Sequence, residues 1–451
     1  MSEEKKKKRI KYLNRALLNH KKVDLNFLKS VTFLGIPREY KLRPLVWKLL
    51  LNYLPPQVSL WEQTLKENRQ FYLDFKKETI TPKISQLFDK MFSPNGLTSF
   101  EENEISEEIE NEQNENFLDK ETFYLLLEMY HDTLRTWAGD GFFANKNGKN
   151  NQNKTSMTKT NNKNENEKKE EIKQIKDITN DKGSKEEEDK GKETEKEKEN
   201  EKEKEKEKEK EKENEKEKEN ENEKENEKEK EREKENNNSE KEEDNGTIEI
   251  LEQNHSRALC ELLFLHSQIN KGVGYTQGMN DILAPIYFLF ANTNVKDKQF
   301  ADADSFFCFV NLMSEIYQFF CFEIDSTVEG LNAILNQVED GLKRYDNKIY
   351  KRFKKLEIAP HDYCFRWISL LFSQEFKKYQ LIRLWDSLFA DKSRFQFVIS
   401  FSIAMICCLK EKIMKLGFGE ILESLQNYPK DIPIGRILRK AVDVSEKIKK
   451  K

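Results

Sequence analysis

The sequence lacks the patterns that several broad classes of protein require. Its six cysteines (Cys260, Cys308, Cys321, Cys364, Cys407, Cys408) form no Cys-x-x-Cys pair, and the five histidines are scattered rather than set at ligand spacing from them. A metal site is therefore not expected. No Gly-Lys-Ser/Thr run is present to wrap a nucleotide phosphate. The charged stretch Met1 to Arg9 is followed by no apolar core of a signal peptide. The longest apolar run, Val398 to Leu409, is too short to span a bilayer. Period-two alternation and Asn-Gly turns between apolar segments are missing, which argues against a sheet. These absences predict a reduced, cytoplasmic, soluble protein without a transmembrane segment or a nucleic-acid partner. Membrane contact is expected only peripherally, through a partner or through the basic ends, Lys5 to Arg9 and Lys447 to Lys451.

What is present falls into two populations. Residues 151–245 carry 27 basic and 36 acidic side chains, a net charge of -9 within a chain total of -4, so the remainder is mildly basic. From about Ala144 to Asn245 the chain is rich in Asn, Lys and Glu, and almost its only apolar residues are Met157, Ile172, Ile175 and Ile178. Such a segment cannot bury enough surface to offset the entropy of ordering, and it reads as a disordered insert. Its Glu-Lys alternation puts like charges at i,i+4 and opposite charges at i,i+3, so a helix gains from one set what it loses to the other. The flanking 350 residues or so are rich in Leu, Ile and Phe, enough for a large core or two adjoining ones.

Those flanks read as helical throughout. Over Glu121 to Trp137, Phe123, Leu126, Leu127, Tyr130 and Leu134 form one stripe at i,i+3,i+4 spacing. Ser256 to Ile269, Ser305 to Phe320, Tyr363 to Phe376, Leu381 to Phe389 and Phe397 to Leu409 show the same period. The predicted fold class is all-α, with helices joined by short loops.

Two short stretches could carry chemistry. In Met129-Tyr-His-Asp132-Thr-Leu-Arg135-Thr136, Asp132 and Arg135 lie three apart on a helix end, where a carboxylate can fix a guanidinium in one rotamer. A guanidinium so held suits phosphate oxygens better than a lysine does; taken alone, the pair reads as an ordinary surface ion pair. In Gly272-Val-Gly274-Tyr275-Thr-Gln277-Gly278-Met279-Asn280-Asp281, three glycines surround one glutamine between two apolar helices. Glycines permit close backbone approach. Asn280 or Asp281 is the expected cap of the following helix, with Pro285 expected in its first turn. Gln277 could then orient a water or donate to an oxyanion, or simply be the solvated residue of a helix-helix turn.

Tyr275-Thr-Gln277-Gly278-Met279-Asn280 resembles the YxQGMN motif of TBC-domain Rab GTPase-activating proteins. Met129 to Arg135 resembles their IxxDxxR motif, with Met129 where isoleucine is usual. Gly35-Ile36-Pro37, Arg43 and Trp47 to Pro55 are similar to the family's N-terminal motif. Asp304 to Phe309, Phe365-Arg366-Trp367 and Leu381 to Phe389 are similar to its C-terminal helices. The likeness covers about residues 30 to 440 apart from the insert. The Arg43-to-Trp47 region and the insertion between the two motifs are similar to those of one subfamily of these proteins. One departure is Trp137-Ala-Gly139-Asp140-Gly141, where many members carry a proline, a change that bears on the arginine's approach angle.

The resemblance implies a two-subdomain helical TBC domain: a basic extension over 1–29, an N-terminal subdomain over 30–143 and 246–300 interrupted by the insert, a C-terminal subdomain over 301–445, and a basic tail over 446–451. It implies a GTP-bound Rab as partner, with GTP and Mg²⁺ belonging to that partner and no cofactor of the chain's own. Arg135 and Gln277 are then catalytic fingers acting in trans. Asp132, Tyr275, Gly278, Met279 and Asn280 support them, and Arg43 and Thr136 touch the partner. Vesicle traffic and transient recruitment to endomembranes follow from the family. The competing reading is a catalytically weak binding module or scaffold. Arg366 and Asp386 are expected to form a buried ion pair near Trp367 and Trp385.

Overall fold

A computed structural model describes residues 3–18, 20–38, 40–110, 118–138, 142–143, 254–320 and 330–449. The predicted insert lies outside the described residues. Those that are described belong to one packed unit and contain helices and no strand.

The N-terminal part comprises α1 (Glu3–Leu17), α2 (Leu25–Phe33), α3 (Arg43–Leu50), α4 (Trp61–Thr79), α5 (Pro82–Met91), α6 (Ser99–Glu110), α7 (Lys120–Arg135), α8 (His255–Ile269) and α9 (Met279–Ala291). The C-terminal part comprises α10 (Val295–Lys298), α11 (Ala301–Ile316), α12 (Leu331–Tyr345), α13 (Asn347–Lys355), α14 (His361–Ser369), α15 (Lys378–Phe389), α16 (Phe397–Cys408), α17 (Lys410–Ile413), α18 (Phe418–Gln426) and α19 (Ile434–Lys449). Each part is built around helices that are buried along almost their whole length. In the first, α8 and α9 bury Leu259, Leu262, Leu263, Ile282, Leu283 and Ile286. In the second, α16 buries an unbroken run from Phe397 to Ile406. A helix with no polar face has to be enclosed by others, and α16 is enclosed by α12, α14 and α19.

The segment expected to be a basic extension is folded in. α1 buries Leu13, Ala16 and Leu17 and packs on α2. Arg9 donates to the carbonyls of Val31 and Gly35 at 3.1 and 3.0 Å, satisfying the C-terminal end of α2.

Two buried carboxylates join chain segments far apart in sequence. Asp386 accepts from the Ile36 amide and the Trp47 indole, both at 3.0 Å, and lies 3.3 Å from Arg43 Nε. The expected pair of Arg366 with Asp386 does not form: Arg366 pairs with Glu375 at 2.8 Å, and Asp386 takes Arg43 instead. Trp47 packs edge-on against Phe389 with ring centres 4.9 Å apart. Gly35 turns the chain here at φ +100°, and a Cβ would fall 2.1 Å from Arg383 Nε. The second carboxylate, Asp304 of α11, accepts from Lys48 at 2.5 Å, Tyr53 at 2.9 Å and both arms of Arg69 at 3.0 and 2.8 Å.

The helix expected over Tyr363 to Phe376 stops at Ser369. Leu371 and Phe372 adopt left-handed φ of 46° and 63°, which side chains with a Cβ rarely do. Full burial of both and a 2.9 Å bond from the Trp385 indole to the Leu371 carbonyl compensate the strain. The break swings residues 370–376 toward the N-terminal part.

Replacing Asp304 by Asn leaves Lys48 without a counter-charge in the interior and Arg69 with only its 4.0 Å contact to Asp297. Urea unfolding is expected to show a loss of about 3 kcal/mol or more. A second test concerns His266, which is buried on α8 with Nδ1 lacking a hydrogen-bond partner. Burial lowers its pKa from 6.5 to about 4. Its neutral form is compatible with the fold at full strength above the unfolded value. That contribution is lost as pH falls from about 6.5 toward 4, a change of about 3 kcal/mol. The stability difference between wild type and His266→Gln, followed by urea unfolding from pH 7 to pH 4, should shift by that amount in favour of the variant.

Candidate functional site

α7 begins at Asp119, whose carboxylate accepts from the Thr122 amide. Its apolar stripe, Phe123, Leu126, Met129 and Tyr130, is buried, which fixes the rotation of the helix. That rotation directs Asp132 inward, where it is 2% exposed, and leaves the Arg135 side chain 64% exposed. The helix ends at Thr136, with Trp137 at φ 47°. Arg135 Nη2 donates to Asp132 Oδ1, the i,i+3 pair that the spacing predicts.

The glycine-rich loop between α8 and α9 brings a second set of groups to the same carboxylate. The Tyr275 hydroxyl donates to Asp132 Oδ2 at 2.6 Å, and Gln277 Nε2 approaches Oδ1 at 3.5 Å, a long and weak contact. Burial, and next the bond to Asp132, hold the Tyr275 phenol far above its usual range, so it stays a donor. Asn280 clamps loop to helix: its Nδ2 donates to the Asp132 carbonyl at 3.2 Å and to Thr136 Oγ1 at 2.9 Å. Its Oδ1 accepts from the Gly278 amide at 3.1 Å.

Several expectations are corrected here. The residue at the cap position of α9 is Gly278, at φ +102°, with no side-chain cap, while Asn280 lies inside the helix. Pro285 sits seven residues into α9, not in its first turn. Met279 is buried as a core anchor. Arg43 and Thr136 were expected to touch a partner, but they are 8% and 1% exposed. Arg43 donates to the Ile36 carbonyl at 2.5 Å and pairs with Asp386, while Thr136 donates to the Asp132 carbonyl at 3.0 Å. Neither presents its polar group to another molecule's surface.

Arg135 and Gln277 open onto a cavity of about 530 Å³. Asp132, Trp137 and Gly278 form its near side; Leu370, Ser373, Gln374, Phe376 and Lys430 of the C-terminal part form its far side. Leu370, Ser373, Gln374 and Phe376 fall in the stretch expected to be one continuous helix, and the left-handed break at 371–372 brings them to the cavity instead. Lys430 comes from the segment between α18 and α19 and is marked by no motif. Gln374 donates to Asp281 at 2.7 Å, joining the far wall to the first turn of α9. Burial raises the Asp281 carboxyl above its usual range. No group of three or more His, Cys, Asp or Glu capable of holding a metal occurs among the described residues. The exposed charged group at the finger position is a guanidinium with N–H donors beyond the one given to Asp132, suited to an anion brought by another molecule.

The root of the insert is fixed beside this site. The Phe142 ring stacks on His255 at 4.2 Å, and Ser256 Oγ donates to the Phe143 carbonyl. Residues on either side of the insert are thus held together independently of it.

Comparison with known proteins bears on the family and the fold. Residues 185–414 match the Rab-GTPase-TBC domain family. The chain is 29% identical over 435 residues to TBC1 domain family member 13 of Homo sapiens, covering 95% of this chain and 96% of that one. A TBC domain-containing protein of Schizosaccharomyces pombe is 25% identical over 95% of this chain and 71% of its own length. The Ypt/Rab-GAP domain of Gyp1p has the same fold, with a TM-score of 0.58 at 17% identity over 98% of both chains.

Gly278→Ala should test the loop geometry. The backbone there is left-handed, and a Cβ would fall 2.5 Å from Leu370 Cδ2. A loss of about 2 kcal/mol in urea unfolding is expected. Gly274→Ala, at φ +63° with nothing within 4 Å, should cost less.

Proposed function

The chain belongs to the Rab-GTPase-TBC domain family, and on that basis we propose that it accelerates GTP hydrolysis by a Rab-type GTPase through Arg135 and Gln277 acting in trans. The observation that carries this reading is the shared carboxylate. Asp132 touches both candidate fingers and the tyrosine of the glutamine loop. Two groups separated by 142 positions in sequence are thereby presented at one cavity.

Each residue then has a chemical task. Arg135 neutralises charge that builds on the transferring phosphate, and its planar fork can contact two oxygens at once. Gln277 orients the attacking water. Asp132 positions Arg135, with Tyr275 occupying the other carboxylate oxygen so that the carboxylate cannot rotate away. Asn280 and Thr136 lock the end of α7 to the loop. GTP and Mg²⁺ come with the partner, which accords with the lack of a phosphate-wrapping loop in the sequence. In the cell this activity would serve vesicle traffic, with the protein drawn from the cytoplasm to membranes by its Rab.

Single-turnover GTP hydrolysis across a panel of purified Rabs tests the proposal. Wild type should stimulate one or a few of them. Arg135→Lys and Gln277→Ala should each remove most of the effect, the first by about 10³-fold or more. Stimulation that survives both substitutions would assign the chemistry elsewhere. GTP-dependent binding without stimulation by wild type would favour a binding module.

A further inference from the structure

The first residue of α15 is a lysine, at the helix end where the backbone N–H groups already carry partial positive charge. That location is unfavourable for a cation unless something else holds it. Lys378 Nζ lies 4.1 Å from the centre of the Phe288 ring, 5.5 Å from Trp137, 5.6 Å from Tyr379 and 5.8 Å from Phe142. Four aromatic faces around one ammonium form a cation–π cage. The rings are themselves packed: Trp137 and Phe142 meet Phe288 edge-on at 5.7 and 4.9 Å. Across the cage, Arg38 stacks on Tyr379 at 3.7 Å.

The cage joins the start of α15 to the turn in which α7 ends. Lys378 comes from the C-terminal part; Trp137 stands two residues past Arg135 and has a left-handed φ of 47°. A tryptophan adopts that conformation only when its surroundings impose it. From below, Asn280 and Thr136 hold the same turn by hydrogen bonds. From the C-terminal part, the Lys378 ammonium lies over the indole.

We propose that Lys378 is a positioning residue: through its aromatic cage it fixes Trp137, and thereby the end of α7 that presents Arg135. The proposal rests on the reading of Arg135 as a catalytic finger. Lys378 acts through Trp137, so its loss should lower the maximal rate while leaving partner affinity largely intact.

Lys378→Met keeps the length and apolar stem but removes the charge; Lys378→Arg keeps a cation that can sit over the same rings. Single-turnover hydrolysis by a responsive Rab, measured over a range of activator concentrations, separates maximal rate from half-saturation. The expected result is a fall in maximal rate of about tenfold in Lys378→Met, little change in half-saturation, and recovery of most of the loss in Lys378→Arg. Amide hydrogen exchange of the segment following Arg135 should be faster in Lys378→Met than in wild type and near wild type in Lys378→Arg. An unchanged maximal rate, or unchanged exchange at that segment, overturns the proposal. If wild type stimulates no Rab at all, the catalytic reading fails. The exchange experiment then decides separately whether Lys378 holds Trp137.

Discussion

A carboxylate in a protein interior is costly unless its lone pairs are satisfied, and Asp132 meets that requirement with groups from two distant segments. Arg135 arrives from the same helix, one turn on; Tyr275 and Gln277 arrive from a loop that follows the insert. Because one oxygen serves the tyrosine and the other faces the arginine and glutamine, the carboxylate imposes a relative placement on both candidate fingers. The buried stripe of α7 aims Asp132 inward, and the same rotation leaves Arg135 exposed. Burial of one residue and exposure of another, three positions apart, are consequences of a single helix orientation.

That orientation depends on the rest of the fold. Asp386 and Asp304 tie the N-terminal segments to α15 and α11, each with several donors converging on one buried acid. The far wall of the cavity depends on α14 ending early, which in turn depends on the Trp385 indole stabilising a strained turn at Leu371. The cage around Lys378 adjoins the cavity through Trp137, which lines it. The site is therefore held by long-range polar contacts and packed rings, while the root of the insert is clamped separately by Phe142, Phe143, His255 and Ser256.

Much of this was legible in the sequence, and the physics of what was not is specific. The Asp132–Arg135 pair is local, governed by helix periodicity, and forms as expected; of the expected stripe Phe123, Leu126 and Tyr130 are buried, while Leu134 is exposed and Met129 takes a core position instead. The family motifs located Gln277 and its glycines. Contacts across hundreds of positions have no periodic signature. Arg366 was expected to pair with Asp386 near Trp367 and Trp385, yet the acid takes Arg43, 343 residues away, and Arg366 takes Glu375. Arg43 and Thr136 were expected to touch the partner, but the groups they bond are internal. Asn280 has the side chain of a helix cap but is drawn inside α9 to bridge Gly278 and Thr136. Lys378 belongs to no motif, and its cage exists only once α7, α9 and α15 have packed.

The central claim is that Asp132 acts on catalysis by holding Arg135. A double-mutant cycle of Asp132→Asn and Arg135→Lys, read by single-turnover hydrolysis of a responsive Rab, measures that coupling directly. The expected result is strong non-additivity: with Arg135 already replaced, removing the charge of Asp132 should cost little more. Additive losses, with Asp132→Asn reducing the rate as much in the Arg135→Lys background as in wild type, would contradict it.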